Sequence, residues 1–234
     1  MEGQVRVNGV PVTKAGHSVR SDADVQISAA RRFVSRGGEK LDAALNTFGL
    51  DVKGSEALDV GASTGGFTDV LLQREVAHVV ALDVGYGQLD WRLRNDPRVT
   101  VMERTNFRLL DDDAFPSGFD VITIDASFIS LRTILARAEG YLRAKGSIVA
   151  LVKPQFEAGR ARLGSGGVVR DAAVHRQILT EVCDSAATLG LVPVALTESP
   201  LLGPAGNREF LLELRRDGTA IDARRIAEVV AEEN

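Results

Sequence analysis

From Arg36 onward, short apolar runs of strand length alternate with stretches of helical periodicity, the pattern of a mostly parallel sheet covered on both faces. Strands are expected at 56–60, 78–83, 99–103, 120–125, 147–152, 192–196 and 209–214. Between them lie helical stripes. Leu41, Ala44, Leu45 and Phe48 form one, closed by Gly49; Phe67, Val70 and Leu71 form a second; Leu131, Ile134, Leu135, Ala138 and Leu142 form a third. A longer one, over 171–189, carries Ile178, Val182, Ala186 and Leu189 and ends at Gly190, and 220–233 reads as a terminal amphipathic helix. An α/β fold with a doubly wound sheet follows.

Residues 5–27 read differently. Val5 and Val7 alternate with polar neighbours, Asn8-Gly9 signals a two-residue hairpin, and Val10 and Val12 resume the alternation. A third short strand is expected within 18–27, and 28–32 reads as a linker. Three such strands bury too little apolar surface to stand alone. The whole chain has 234 residues, enough to bury roughly 70% of its unfolded surface. With Cys183 as its only cysteine it forms no internal disulfide and no cysteine-based metal site, which points to a reducing cytoplasm. No uncharged apolar run approaches the ~18 residues of a membrane span, and no signal peptide is legible at the start. The net charge of −4 gives no general attraction to nucleic acid, though a local basic face is compatible with it.

The segment from Ala57 to Phe67 runs an apolar strand into Gly61-Ala62-Ser63-Thr64-Gly65-Gly66 and then into a helix. Glycines let the backbone approach a ligand, and a helix N-terminus offers free N–H donors to a carboxylate or phosphate. Asp83 ends the next strand, where doubly wound folds place an acid to meet ribose hydroxyls. The spacing is not that of a dinucleotide fingerprint, so a nicotinamide cofactor is disfavoured without being excluded. Asp59, two residues before the first glycine, suits a ligand carrying an ammonium group.

Ligand crevices in open parallel sheets lie beyond the carboxyl ends of the strands. Asp125 and Lys153 each end an apolar run there, delivering an acid and a base to one edge. A solvated ion pair worth at most ~1 kcal/mol is the competing reading. Lys40 opens the first helix and Glu209 the last strand; each alone reads as a surface charge.

Taken together, Ser35–Leu41, Asp59–Thr68, Asp83–Leu89, Glu103–Asn106, Asp125–Leu131, Lys153–Glu157 and Gly206–Phe210 resemble the TlyA family. Those proteins, often labelled haemolysin A, are ribosomal RNA 2′-O-methyltransferases with an FtsJ-like (RrmJ-like) catalytic domain. The resemblance implies a Rossmann-like fold that binds S-adenosylmethionine (SAM), with a seven-stranded, mostly parallel sheet whose last strand is antiparallel. It implies a catalytic tetrad of Lys40, Asp125, Lys153 and Glu209. It also implies SAM contacts from Asp59, Gly61, Ser63, Gly65 and Phe67 around the methionine part, Asp83 at the ribose and Asn106 at the adenine. Family members begin with an S4-type RNA-binding domain of two helices followed by strands. Only the strand half is legible here, so 1–29 is expected to be a partial S4-like module and 30–234 the methyltransferase domain.

Methyl transfer to a ribose 2′-hydroxyl needs a nucleophile that is losing its proton. Lys153 would serve either as an ammonium that offsets alkoxide charge or as a neutral amine that takes the proton; the sequence leaves both open. Asp125 would hold Lys153, while Lys40 and Glu209 would pair and position the ribose. RNA, with ribosomal RNA or ribosomal subunits as the implied partner and cytidine as the implied target, would approach over Arg31, Arg32, Arg36, Arg160, Arg162 and Arg170. No metal is required, and His17, His78 and His175 lack ligand spacing and read as structural or surface residues. Cys183 reads as a small core residue, and Tyr86 and Trp91 are expected to pack in the core rather than stack on a base. A membrane-active haemolysin and a catalytically silent SAM- or RNA-binding module are the alternatives. The missing amphipathic basic helix counts against the first and the unsubstituted tetrad against the second.

Overall fold

The computed structural model describes residues 5–12, 14, 16–27, 32–159, 162–203 and 205–231. The chain forms two compact units, Met1–Arg32 and Phe33–Asn234. In the first, β1 (Val5–Val7) pairs antiparallel with β2 (Val10–Val12) and with β3 (Val25–Ile27). Asn8 and Gly9 turn the hairpin with φ of 50° and 81°, the left-handed pair that matches the strand twist. The third strand is shorter than its apolar spacing suggested, because 17–24 is irregular around a turn at 21–22, held where Asp24 N–H donates to Asn8 Oδ1 at 2.9 Å.

The larger unit carries a seven-stranded sheet. Its strands are β4 (Glu56–Val60), β5 (His78–Leu82), β6 (Val99–Met102), β7 (Phe119–Ile124), β8 (Leu142–Val152), β9 (Val192–Glu198) and β10 (Phe210–Arg215). Their spatial order is β6-β5-β4-β7-β8-β10-β9, with β10 antiparallel to both neighbours and β4 to β8 parallel. The expected fold is therefore present, including the reversed last strand. One face packs Leu58, Ile122, Ile124 and Ile148 against α4 (Leu131–Tyr141), α6 (Ala172–Thr188) and α7 (Ala223–Ala231). The other packs Ala57, Val79, Val121 and Leu211 against α1 (Gly37–Phe48) and α2 (Gly66–Gln73). At about 25 cal/mol per Å² of apolar surface removed from water, these two layers dominate the stability of the unit.

Two helices carried no periodic signal: α3 (Trp91–Arg94), capped by the Asp90 side chain, and α5 (Pro154–Glu157), with proline at its first position. Strand β8 starts earlier than expected because Arg143, Ala144 and Lys145 hide its first half behind polar character. The sheet places the site by register. Val60 lies opposite Leu82 and Ile124, so Gly61, Asp83 and Asp125 leave the sheet at one edge. Phe210 lies opposite Val152, and because β10 runs the other way, Glu209 precedes it at the same edge as Lys153.

Candidate active site

Two clefts open along this edge. The first, of about 720 Å³, is lined by Lys40, Asp125, Lys153, Gln155 and Glu209 together with Arg36, the Gly61–Thr64 turn and Phe128. The second, of about 510 Å³, lies between the ends of β4, β5 and β7 and is lined by Ser63, Asp83, Gln88, Asn106 and again Asp125 and Phe128. Gly61, Ser63, Asp125, Ser127 and Phe128 belong to both, so the clefts meet at the end of β7.

The four residues expected to act together do converge, as two ion pairs. Lys40 Nζ donates to Glu209 Oε2 at 2.6 Å, with the Glu209 side chain fully buried. Lys153 Nζ stands 2.6 Å from Asp125 Oδ1 and donates to Ser127 Oγ at 2.9 Å. The contact with Asp125 is an ion pair outside hydrogen-bonding angles, for Asp125 Oδ1 is buried with no hydrogen-bond donor among the described residues. These charges are buried in opposite pairs, the arrangement in which removal of one member strands its partner.

The glycine turn explains its own composition. Gly61 has φ of 85°, and a Cβ there would stand 2.6 Å from the Asp125 carbonyl oxygen. Only glycine lets the β4 turn pass this close to β7. Its N–H donates to Leu82 O at 2.8 Å, and Asp125 N–H donates to Val60 O at 3.0 Å, so the three strand ends are tied together. Ser63, at φ of 49°, directs its N–H to Asp83 Oδ2 at 2.9 Å, while Asp83 Oδ1 accepts from Gly85 N–H at 2.6 Å. Gly65 packs beneath Leu89 and Leu93 as the residue preceding α2, and Phe67 is buried on α2 at the wall of the larger cleft. Asn106 reaches the smaller cleft while its Oδ1 accepts from Arg108 N–H at 3.2 Å.

Asp59 departs from expectation. Side chains alternate along β4, so Asp59 shares the face of Ala57 and points beneath α2 rather than into a cleft. Its oxygens accept from Thr68 Oγ1 at 2.7 Å and Thr123 Oγ1 at 2.9 Å. Burial raises its pKa to about 6 against the lowering effect of those two hydroxyls. It braces α2 against β7 and is not among the residues that line either cleft.

The basic rim is thinner than the sequence suggested. Arg36 borders the larger cleft, and Arg32 and Arg170 are exposed. Arg162 is withdrawn from it: its guanidinium donates to Glu181 at 2.8 and 3.1 Å and to the carbonyl of Ala158 at 2.7 Å. Arg31 and Arg160 lie outside the described residues. Tyr86 and Trp91 are not in the core; they are 68% and 71% exposed, because the short α3 buries Leu93 and turns Trp91 outward. Arg104 lies over the Tyr86 ring at 4.0 Å, a cation–π stack on open surface. Cys183 does pack in the core, where burial pushes its thiol up to about 12. His175 is buried edge-on to Phe210 at 5.6 Å, and burial lowers its pKa.

Several residues escaped sequence reasoning. Phe128 is 91% exposed, sits at φ of 64° where the clefts meet, and leans on Phe156 at 5.2 Å between ring centroids. Glu157 anchors the start of α4, accepting from Leu131 N–H at 2.6 Å and Ser130 Oγ at 2.7 Å. Asn207 ties the loop before α6 to the cleft, its Oδ1 accepting from Val169 N–H at 2.9 Å and its Nδ2 donating to Gly167 O at 3.2 Å. Their available signal was position: Phe128 and Glu157 follow β7 and β8, and Asn207 stands just before β10.

The sheet order is that of the Rossmann-like fold, shared with a solved structure from Listeria monocytogenes at a TM-score of 0.58 over 79% of this chain. A family model described as FtsJ-like methyltransferase matches residues 33–216. The 16S/23S rRNA (cytidine-2′-O)-methyltransferase TlyA of Mycobacterium tuberculosis is 48% identical over 215 residues, 91% of this chain and 80% of that one. Hemolysin A of Brachyspira hyodysenteriae is 40% identical over 212 residues, 90% and 88% of the two chains. A solved structure from Streptococcus thermophilus, carrying a hemolysin name, is 43% identical with a TM-score of 0.84 over 98% of this chain and 85% of its own. The chain belongs to the FtsJ-like methyltransferase family, in its TlyA and haemolysin A group.

Proposed function

We propose that the protein methylates the 2′-oxygen of cytidine in ribosomal RNA, using SAM bound in the smaller cleft and the target nucleotide in the larger. The observation that carries this reading is the meeting of the two clefts at Asp125, with Lys153 2.6 Å from its carboxylate and the Lys40–Glu209 pair in the same cleft. The named activity of the TlyA relative supports the nucleotide and the RNA. The residues present fit SAM: a glycine turn that a Cβ would obstruct, leading into a helix N-terminus, faces Asp83 across a cleft long enough for a nucleoside. Gly61 and Ser63 would lie along its methionine part, Asp83 would accept from its ribose and Asn106 would border its adenine. SAM supplies the methyl group in an in-line displacement.

Lys153, positioned by Asp125 and Ser127, lowers the cost of negative charge growing on the 2′-oxygen as its proton passes to water. Lys40 and Glu209 fix one wall of the cleft and hold the ribose in line. Arg36 and Arg170 would meet phosphates, and the exposed Phe128 and the Tyr86–Arg104 stack offer faces for unpaired bases. Residues 1–29 are read as a partial S4-like RNA-contacting module and 30–234 as the catalytic domain. A ribosomal substrate implies work in the cytoplasm. No described helix is long and apolar enough to cross a membrane, and no observation specifically favours a lytic role.

The test incubates the protein with methyl-labelled SAM and ribosomal subunits from a strain lacking the modification, then digests the RNA to nucleosides. Label in 2′-O-methylcytidine is expected. Lys153→Ala should lower the rate by at least ~1000-fold while leaving SAM affinity within about twofold, because the residue acts at the nucleophile. Label in a base, or undiminished turnover by that variant, would overturn the reading.

A further inference from the structure

Glu209 is the buried acceptor around which one more polar side chain is organised. Gln155, the second residue of α5, donates from Nε2 to Glu209 Oε1 at 3.4 Å. The opposite amide orientation would set Oε1 against a carboxylate oxygen, so Glu209 fixes the polarity of the amide. With Nε2 committed, Oε1 is directed away from Glu209. It is buried, and no donor of the described residues reaches it. Among the described residues, the buried side-chain atoms with no hydrogen-bond partner belong to Gln155, Asp125 and His175. The first two line the same cleft. A buried acceptor left without a donor is costly, and a cleft that keeps one is shaped for a ligand that brings the donor.

The two free acceptors are not equivalent. Asp125 Oδ1 already has the Lys153 ammonium 2.6 Å away, whereas Gln155 Oε1 has no hydrogen-bonding partner among the described residues. A nucleotide within an RNA chain has its 3′ and 5′ oxygens esterified, so its sugar brings a single hydroxyl donor, the 2′-OH. We infer that Gln155 contacts the target nucleotide, its Oε1 accepting the hydrogen bond of the 2′-hydroxyl that is to be methylated. The inference rests on the functional reading given above. Pointing the hydroxyl proton at Gln155 leaves the oxygen's lone pairs for a Lys153 N–H and for the incoming methyl carbon. Gln155 takes no proton; it sets the rotation of the C–O–H group before transfer, and the proton is released to water as the methyl–oxygen bond forms.

One consequence separates this role from a structural one. The methylated product has no 2′ donor, so Gln155 should distinguish substrate from product. With S-adenosylhomocysteine bound, affinity is measured for unmodified ribosomal subunits and for the same subunits after exhaustive methylation in vitro, using the wild type and Gln155→Met, a near-isosteric change. The loss of one hydrogen bond predicts about tenfold weaker binding of unmodified subunits by the variant and less than a twofold change for methylated ones. Gln155→Leu is read in the same way, and unchanged S-adenosylhomocysteine affinity shows that each variant is folded. Equal weakening for both kinds of subunit, or for neither, overturns the inference. Failure of the wild type to label the subunits instead overturns the functional reading itself.

Discussion

At the scale of single residues, burial decides which charges carry function and which carry structure. Asp59 looks like a ligand residue in the sequence, yet alternation along β4 turns it under α2. Because its folded pKa is raised to about 6 from 3.8, its contribution to stability is complete at pH values below about 4 and is lost as pH rises through 6. Asp59→Asn keeps partners for Thr68 and Thr123 but cannot ionise. Relative to the wild type it should therefore gain roughly 3 kcal/mol between pH 4 and pH 7. Urea midpoints at four pH values measure this; parallel pH profiles for the two proteins would contradict it. The Lys40–Glu209 pair makes the opposite case. Lys40→Met and Glu209→Met should each destabilise by about 3 kcal/mol, since each leaves one buried charge alone, and the double variant should recover most of that loss. None of the three should methylate, so stability and activity separate cleanly within one double-mutant cycle.

At the scale of elements, the strands were legible because their apolar runs are long and end abruptly in charge. Asp125 and Lys153 could be placed at one edge from the βαβ rhythm alone. Glu209 joined them only through β10, whose reversed direction no local pattern announces and the family resemblance supplied. What stayed hidden was short or tertiary: α3 and α5 span four residues each, less than periodicity can register, and the Gln155–Glu209 contact joins positions 54 apart. Trp91 misled because an aromatic residue near an apolar pattern resembles core unless the helix carrying it is known to be one turn long, and Tyr86 because it sits in an irregular bend between β5 and α3. The glycine turn is the element whose geometry is least forgiving. Gly61→Ala would need a left-handed φ and would press its methyl group into the Asp125 carbonyl, spreading the ends of β4 and β7. Titration with SAM should show affinity falling by at least about tenfold, and methyl transfer falling further because Asp125 moves as well. Wild-type affinity in a folded Gly61→Ala protein would mean that the close approach is dispensable.

At the scale of the molecule, every described residue lining either cleft lies between Ser35 and Glu209, inside the larger of the two compact units. Removing residues 1–32 should accordingly leave SAM affinity within about twofold, by calorimetry. The same deletion should weaken binding to ribosomal RNA if the three-stranded unit contacts it, and the residual binding should then fall steeply with salt as arginine–phosphate contacts are screened. A large loss of SAM affinity would show that the small unit supports the catalytic one.

The Lys40–Glu209 ion pair has a consequence in time as well as in space. It joins residues 169 apart, so a chain growing from its N-terminus makes the first helix long before it makes the partner of that helix's lysine. No fragment that stops short of Glu209 contains the pair, and no local folding event can create it. On the function proposed above, competence to react arrives only once Glu209 is in place ahead of β10, and a copy that stops short of it lacks one half of the ion pair.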